Sequence, residues 1–170
     1  MDDRPLSRRG LLVGATALAL TACSPGAAQA KPHPNTLRFR DSPWRKLSDA
    51  DWKRRLSPAA YRVLRKEATE RPNTSPLNAE KRRGSYVCAG CGLPLFRSEW
   101  KYESGTGWPS FFRAIRENLG TKPDLVLLIP RTEYHCARCL GHQGHLFDDG
   151  PAPTGQRWCN NGVALRFVPA

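Results

Sequence analysis

Three things are scarce in this sequence. No apolar run is long enough to cross a bilayer as a permanent helix, since the best one, Leu11 to Leu20, falls well short of the roughly 20 residues required. Acidic side chains are few: 15 Asp and Glu stand against 27 Lys and Arg, a formal charge of +12 at pH 7. Cysteine is missing altogether from residues 31–83. The first lack excludes a stretch that stays in the membrane as a spanning helix. The second makes the surface basic, which raises nucleic acid or an acidic membrane surface as partners. The third separates charge from sulfur chemistry, because residues 31–83 hold 15 basic against 6 acidic groups, whereas residues 84–170 hold 9 against 7. The basic half reads as a solvated surface rather than a dedicated binding face.

The opening "MDDRPLSRRGLLVGATALALTACSPGAAQAK" reads as a targeting segment outside the fold. Arg8 and Arg9 ahead of the apolar run resemble a twin-arginine export signal, and Leu20-Thr21-Ala22-Cys23 resembles a bacterial lipobox whose cysteine is acylated. Ala28-Gln29-Ala30 offers a rival cleavage site that would release an untethered protein. The expectation is therefore an exported bacterial protein of the periplasm or cell envelope, tethered to the membrane through Cys23. Either route removes Cys23 from redox chemistry.

Three segments follow from this: an export signal and linker over 1–30, a basic helical flank over 31–83 and a β-rich domain over 84–170. Ser48-Asp49-Ala50-Asp51 before Trp52 predicts a capped helix. Ser57-Pro58 predicts a second, with Tyr61, Val63, Leu64 and Ala68 as its apolar positions. The stretch "ERPNTSPLNAEKRRG" is expected to be loop. From Tyr86 onward short strands are expected, at Leu95-Phe96, Leu125 to Ile129, Thr132 to Cys136, Arg157 to Cys159 and Val163 to Val168, in a mainly β, antiparallel fold.

Four cysteines form two Cys-x-x-Cys knuckles, Cys88 with Cys91 and Cys136 with Cys139. Each tight bend presents two thiolates, and two bends complete the tetrahedral shell of one structural Zn2+ per chain. Two disulfides are the alternative in an oxidising compartment. A redox pair is disfavoured, because Gly92 and Pro94 follow the first knuckle where a helix would be needed. A closed four-sulfur shell makes the metal architectural, and subtraction leaves Cys159.

A lone thiol is often a buried apolar filler. Here "GHQGHLFDDGPAPTGQRWC" precedes it, with His142 and His145 three residues apart and carboxylates at Asp148 and Asp149. Nearby imidazoles are expected to lower the Cys159 pKa and make it a nucleophile.

The motifs "CAGCGLPLF", "SGTGWPSFF" and "CARCLGHQGHLFDDGPAPTGQRWCNNGVALRFVP" resemble the R-specific, type B methionine sulfoxide reductases from about Tyr86 to Pro169. The resemblance implies two antiparallel β-sheets, a β-tent, with a structural zinc opposite the active site. It also implies that Cys159 is the nucleophile, that His142, His145 and Asn161 surround it, and that Trp108 packs against the substrate methyl group. Plain core packing is the other reading of Trp108. Protonation of the sulfoxide oxygen falls to His145 with His142 beside it, and Asn161, in the same strand as the nucleophile, is expected to orient it. Gly105 and Gly107 serve the turn that presents Trp108.

Many relatives have a resolving cysteine in the Gly-rich turn where this chain has Thr106. A sulfenic acid on Cys159 is then expected to be reduced by an external thiol, a thioredoxin-like protein or a small molecule. Leu140 and Gln143 are a second departure, expected to tune substrate access. The chain thus reads as a monomeric enzyme that repairs oxidised exported proteins and peptides and takes no nucleic acid. A zinc-ribbon nucleic-acid binder leaves the leader unexplained, and its cations lie away from the knuckles. A structural lipoprotein with an inert Cys159 is the other rival. A zinc deaminase is excluded, since no His-x-Glu precedes a Pro-Cys-x-x-Cys.

Overall fold

Ser48 and Ser57 cap the two helices that the sequence predicts. The computed structural model describes residues 33–125 and 130–170, so the leader, Cys23 and both cleavage sites lie outside the described residues. A single turn, α1 (Pro34–Leu37), precedes α2 (Asp49–Arg55) and α3 (Pro58–Lys66). Ser48 Oγ accepts from the Asp51 amide at 3.2 Å, and the Asp51 carboxylate accepts from the Ser48 amide at 2.9 Å. That reciprocal box satisfies two donors the helix would otherwise orphan. In α3 the face formed by Ala60, Tyr61, Val63 and Leu64 is buried, while Ala68 lies past the helix end, where Glu67 turns left-handed at φ 55°.

The strands are β1 (Gly84–Cys88), β2 (Pro94–Arg97), β3 (Lys101–Tyr102), β4 (Ser110–Phe111), β5 (Leu119–Asp124), β6 (Arg131–Cys136), β7 (His142–Phe147), β8 (Arg157–Asn160) and β9 (Leu165–Pro169). They form two sheets, one ordered β2-β1-β9 and the other β3-β4-β8-β7-β6-β5. Every pairing is antiparallel. The mainly β architecture with short N-terminal helices is therefore as the sequence implies. Differences lie at strand edges. The apolar run from Leu125 drew the prediction of a strand, but the ladder begins with Leu119 opposite Cys136 and ends with Asp124 opposite Arg131, and Leu125 is 73% exposed. Residues 126–129 of that expected strand lie outside the described residues. Val163 and Ala164 sit in a one-turn 3-10 helix, so β9 starts two residues later than expected.

Aromatic rings join the sheets. Tyr86 and Phe96 from the smaller sheet meet Phe111, Tyr134 and Trp158 from the larger, with Phe96 stacked on Phe111 at 4.2 Å and Tyr134 edge-on to Trp158 at 5.0 Å. Such pairs add about 0.5–1.5 kcal/mol each beyond the area they bury. Trp52, Leu56, Tyr61, Val63 and Leu64 belong to the same cluster, so the helical segment shares the core of the sheets. Because neighbouring residues of a strand face opposite ways, burying Trp158 turns Cys159 to the other face of the sheet.

Candidate functional site

The four knuckle cysteines converge. Their sulfurs lie within 4.8 Å of one another, with Cys88 3.6 Å from Cys139 and Cys91 3.5 Å from Cys136. A tetrahedral ion with Zn–S bonds of about 2.3 Å sets its sulfurs about 3.8 Å apart, so the donor set fits a soft cation. All five cysteines among the described residues are free thiols, so the two-disulfide alternative is not realised. Hydrogen bonding to Cys136 first, then to Cys91, and burial push Cys88 and Cys139 well above the usual thiol range, with Cys88 opposing the shift at Cys139. Such a cluster sheds its protons to a cation.

The two knuckles share one geometry. The Gly92 amide donates to Cys88 O at 2.8 Å and the Leu140 amide to Cys136 O at 2.9 Å, with φ of 74° and 60° respectively. Glycine takes that conformation freely, and leucine does so at a cost of about 1 kcal/mol or more. The Leu140 side chain is 44% exposed and loses little packing if removed. Leu140→Gly is expected to stabilise the fold by about 1 kcal/mol, raising Tm by about 2–4 °C in a thermal scan; a lower Tm would show that this leucine is held by contacts rather than strained. Gln143 also belongs here. It is fully buried and its amide donates to Cys88 Sγ at 3.5 Å, so it faces the four-sulfur cluster and does not gate substrate. Arginines close the outside of the knuckles. Arg45 donates to Ala137 O and Arg138 O at 2.7 and 3.2 Å, Arg65 to Cys139 O at 3.0 Å, and Arg138 to Cys91 O at 3.3 Å.

On the far side of β8, Cys159 is half-buried between Ser110 of β4 and His145 of β7, each directly opposite it in the ladder. It lines a cavity of about 100 Å³ with Trp108, His145, Phe147 and Asn161. Burial pushes the Cys159 thiol up, and the Arg157 guanidinium with hydrogen bonds to Thr106 and Ser110 opposes that. The expectation that imidazoles lower its pKa is corrected accordingly, and the resting group is a thiol. Arg157 itself is fixed by Asp149 at 2.7 and 2.8 Å and lies over the Phe147 ring at 4.2 Å.

His142 and His145 would face opposite ways on a regular strand, being three residues apart. A bulge removes the conflict: His135 pairs with His142 and Tyr134 with Gly144, leaving Gln143 unpaired. The two rings then meet edge-to-face at 5.5 Å. Their carboxylate partners are neither Asp148 nor Asp149. His142 Nδ1 is 2.9 Å from Glu133 and His145 Nε2 is 2.8 Å from Asp124, both presented by the β5–β6 pair. Burial pushes His142 down to about 4 and also lowers His145, against the Asp124 hydrogen bond. Both are neutral at pH 7. His142 lines a neighbouring cavity of about 440 Å³, which meets the first at Thr69, Arg131 and His145.

Asn161 departs from its expected place. It is one residue beyond β8, and its side chain accepts from the Glu70 amide at 2.9 Å and donates to Gln143 O at 3.0 Å. Its amide group is thereby engaged with backbone on both sides. Half-buried Trp108 donates its indole N–H to Glu70 O at 3.1 Å, and Gly105 and Gly107 on either side of Thr106 have φ of 72° and 88° in the turn that presents it. Sequence reading brought Cys159, His142, His145, Asn161 and Trp108 to one region, as the structure does. It missed Ser110, Arg157, Asp124, Glu133 and Glu70. Strand alternation around Cys159 carried a signal for Arg157, whereas the others depend on pairings between distant segments.

The SelR domain family matches residues 56–169. The chain is 42% identical over 152 residues to "Peptide methionine sulfoxide reductase B1, chloroplastic" of Arabidopsis thaliana, covering 88% of this chain and 75% of that one. It is 48% identical over 121 residues to a peptide methionine sulfoxide reductase MsrB of Leptospira interrogans, covering 71% and 92%. A protein of that name from Bradyrhizobium diazoefficiens is 49% identical over 123 residues, covering 72% and 88%.

Proposed function

The chain belongs to the SelR domain family, the family of the peptide methionine sulfoxide reductases MsrB, and from that premise we propose that it reduces the R epimer of peptide-bound methionine sulfoxide with Cys159 as nucleophile. One observation carries the reading. Among the described residues, Cys159 is the thiol left outside the four-sulfur cluster, and it opens into a cavity walled by Trp108 with His145 across the ladder.

The Cys159 sulfur attacks the sulfoxide sulfur to form an S–S bond, and the protonated sulfoxide oxygen then passes to the Cys159 sulfur as the bonds from the methionine sulfur to that oxygen and to Cys159 both break. Thiol plus sulfoxide gives sulfenic acid plus thioether, so atoms balance and the proton of the thiol ends on the transferred oxygen. Neutral His145 is suited to relay that proton, accepting it as the thiolate forms and returning it to the oxygen, which leaves poorly unless protonated. Asp124 fixes the ring for that exchange, and His142, tethered to Glu133, packs against it. Trp108 is the wall that takes the ε-methyl group, its polarisable face suited to a sulfur-bound methyl. Arg157, Thr106 and Ser110 stabilise the thiolate as it develops. Asn161 acts at one remove, through the backbone it holds.

The sulfenic acid then meets an external reductant, because Thr106 stands beside Cys159 and forms no disulfide. Two reductant thiols become one disulfide, water leaves, and Cys159 returns as thiol. A structural Zn2+ held by Cys88, Cys91, Cys136 and Cys139 fixes the two sheet ends and takes no part in these steps. The leader supports an exported, lipid-tethered protein that repairs envelope proteins, which the mass of the mature N-terminus checks, and the protein's solution mass tests whether it is a monomer.

Separated R and S epimers of a peptide methionine sulfoxide test the reaction. Only R is expected to be consumed, and substrate-treated enzyme without reductant is expected to form a dimedone adduct at Cys159. Turnover of S alone, or an intramolecular disulfide to Cys159, would overturn the reading.

A further inference from the structure

The segment between α3 and β1 is loop by sequence, yet Glu70 within it touches both walls of the Cys159 cavity. Its carbonyl receives the Trp108 indole N–H at 3.1 Å. Its amide donates to Asn161 Oδ1 at 2.9 Å. Its two carboxyl oxygens accept from the Gly162 and Val163 amides at 2.6 and 3.0 Å, across the turn that follows β8. These four bonds all reach residues distant in sequence from Glu70, and they join the Trp108 turn to the turn just past Cys159.

Neighbouring contacts hold the same bridge. The Asn73 amide donates to Gly107 O at 2.7 Å, and Asn78 donates to that same oxygen at 2.9 Å. A β-carbon at Gly107 would come within 2.8 Å of Pro72, and one at Gly162 within 1.8 Å of Ser75 Oγ, so the loop is seated against bare backbone on both sides. Neither Trp108 nor Cys159 shares a strand with the other. The β4–β8 pairing holds their backbones together on one side, with Ser110 opposite Cys159 and the Asn160 amide donating to Pro109 O at 2.9 Å, and the loop adds a second tie, to the Trp108 indole and to the turn past Cys159.

We infer that Glu70 is a positioning residue for sulfoxide reduction, fixing the distance between the Trp108 wall and the Cys159 sulfur and thereby the size of the group that wall accepts. This rests on Trp108 being the wall for the substrate methyl. Carboxyl oxygens are required on both amides: a Gln side chain keeps one acceptor and sets an NH₂ against the other N–H, and Ala removes both. Misplacement of a reacting pair by about 1 Å costs on the order of 10²-fold.

The test compares wild type, Glu70→Gln and Glu70→Ala on a peptide R-methionine sulfoxide and on its S-ethyl homologue, with Tm measured for each protein. Expected is a fall in kcat/KM for the methyl substrate of about tenfold in Gln and about 100-fold in Ala, carried mainly by kcat because the sulfoxide sulfur is displaced from Cys159. The preference for methyl over ethyl is expected to narrow in the same order. Unchanged kcat/KM and unchanged preference would overturn the inference, as would losses that follow only the unfolded fraction while the preference stays at the wild-type value. Should Glu70→Ala fail to fold, Glu70→Gln decides alone. A wild type inactive on the R epimer would overturn this inference together with the reading beneath it, whereas an active wild type with unaffected variants would overturn this inference alone.

Discussion

Cys159→Ser is expected to lose methionine formation from the R epimer by about 10⁴-fold or more, down to background, with little change in Tm. Serine is smaller by a fraction of an atom's radius and enters a place already lined by the hydroxyls of Thr106 and Ser110, so the fold has no reason to give way. What disappears is the chemistry. A hydroxyl is a feeble nucleophile toward sulfur compared with a thiolate. No sulfenic acid forms either, so the dimedone adduct is lost with the activity. Chromatography of the methionine product measures the first, and peptide mass the second. A variant that keeps more than about a hundredth of wild-type turnover sinks the nucleophile assignment, since truncating a nucleophile normally removes several orders of magnitude.

Removing the metal is expected to cost the fold itself. Four buried sulfurs gather around one point, drawn from the ends of β1 and β6 and the turns beyond them. Apparent binding energies of structural zinc in such sites run to about 10 kcal/mol or more, against a whole-domain stability of about 5–15 kcal/mol. Cys136→Ser should therefore purify without metal and without a cooperative thermal transition, while elemental analysis of wild type returns one zinc per chain. Strong chelator under mild denaturant should do the same to wild type. A metal-free protein with the wild-type Tm would show that the sulfurs only pack. Loss of activity accompanies unfolding here, which separates this change from Cys159→Ser, where activity goes and the fold stays.

Local chemistry was legible wherever it was encoded locally. Ser48, Ser57 and Pro58 announce their helices because a cap needs only its own next turn, and two tight knuckles announce four sulfurs because each pair lies on one bend. Strand edges were not. The apolar run after Asp124 outweighed Leu119–Asp124, whose place is decided by its partner β6 and not by its composition. The carboxylates that hold the histidines, Glu133 and Asp124, carry no local signal, because only sheet pairing brings them within reach. The bulge at Gln143 was invisible for a related reason: an extra residue in a strand is defined by what faces it. The direction of the Cys159 pKa was misjudged, because a list of nearby residue types says nothing of how much water they exclude.

The guanidinium groups around the knuckles also decide how small this molecule can be made. A version starting at Gly84 would drop Arg45 and Arg65, and with them the ties to the peptide oxygens of residues 137, 138 and 139. It would also uncover Gly90 and Gly141, on which the Trp52 ring and the Leu64 side chain now rest. Part of the positive excess upstream is therefore mortar for sulfur-bearing bends more than seventy positions away along the chain, as between Arg65 and Cys139, and trimming that upstream segment to improve expression would undo the structure it was meant to simplify.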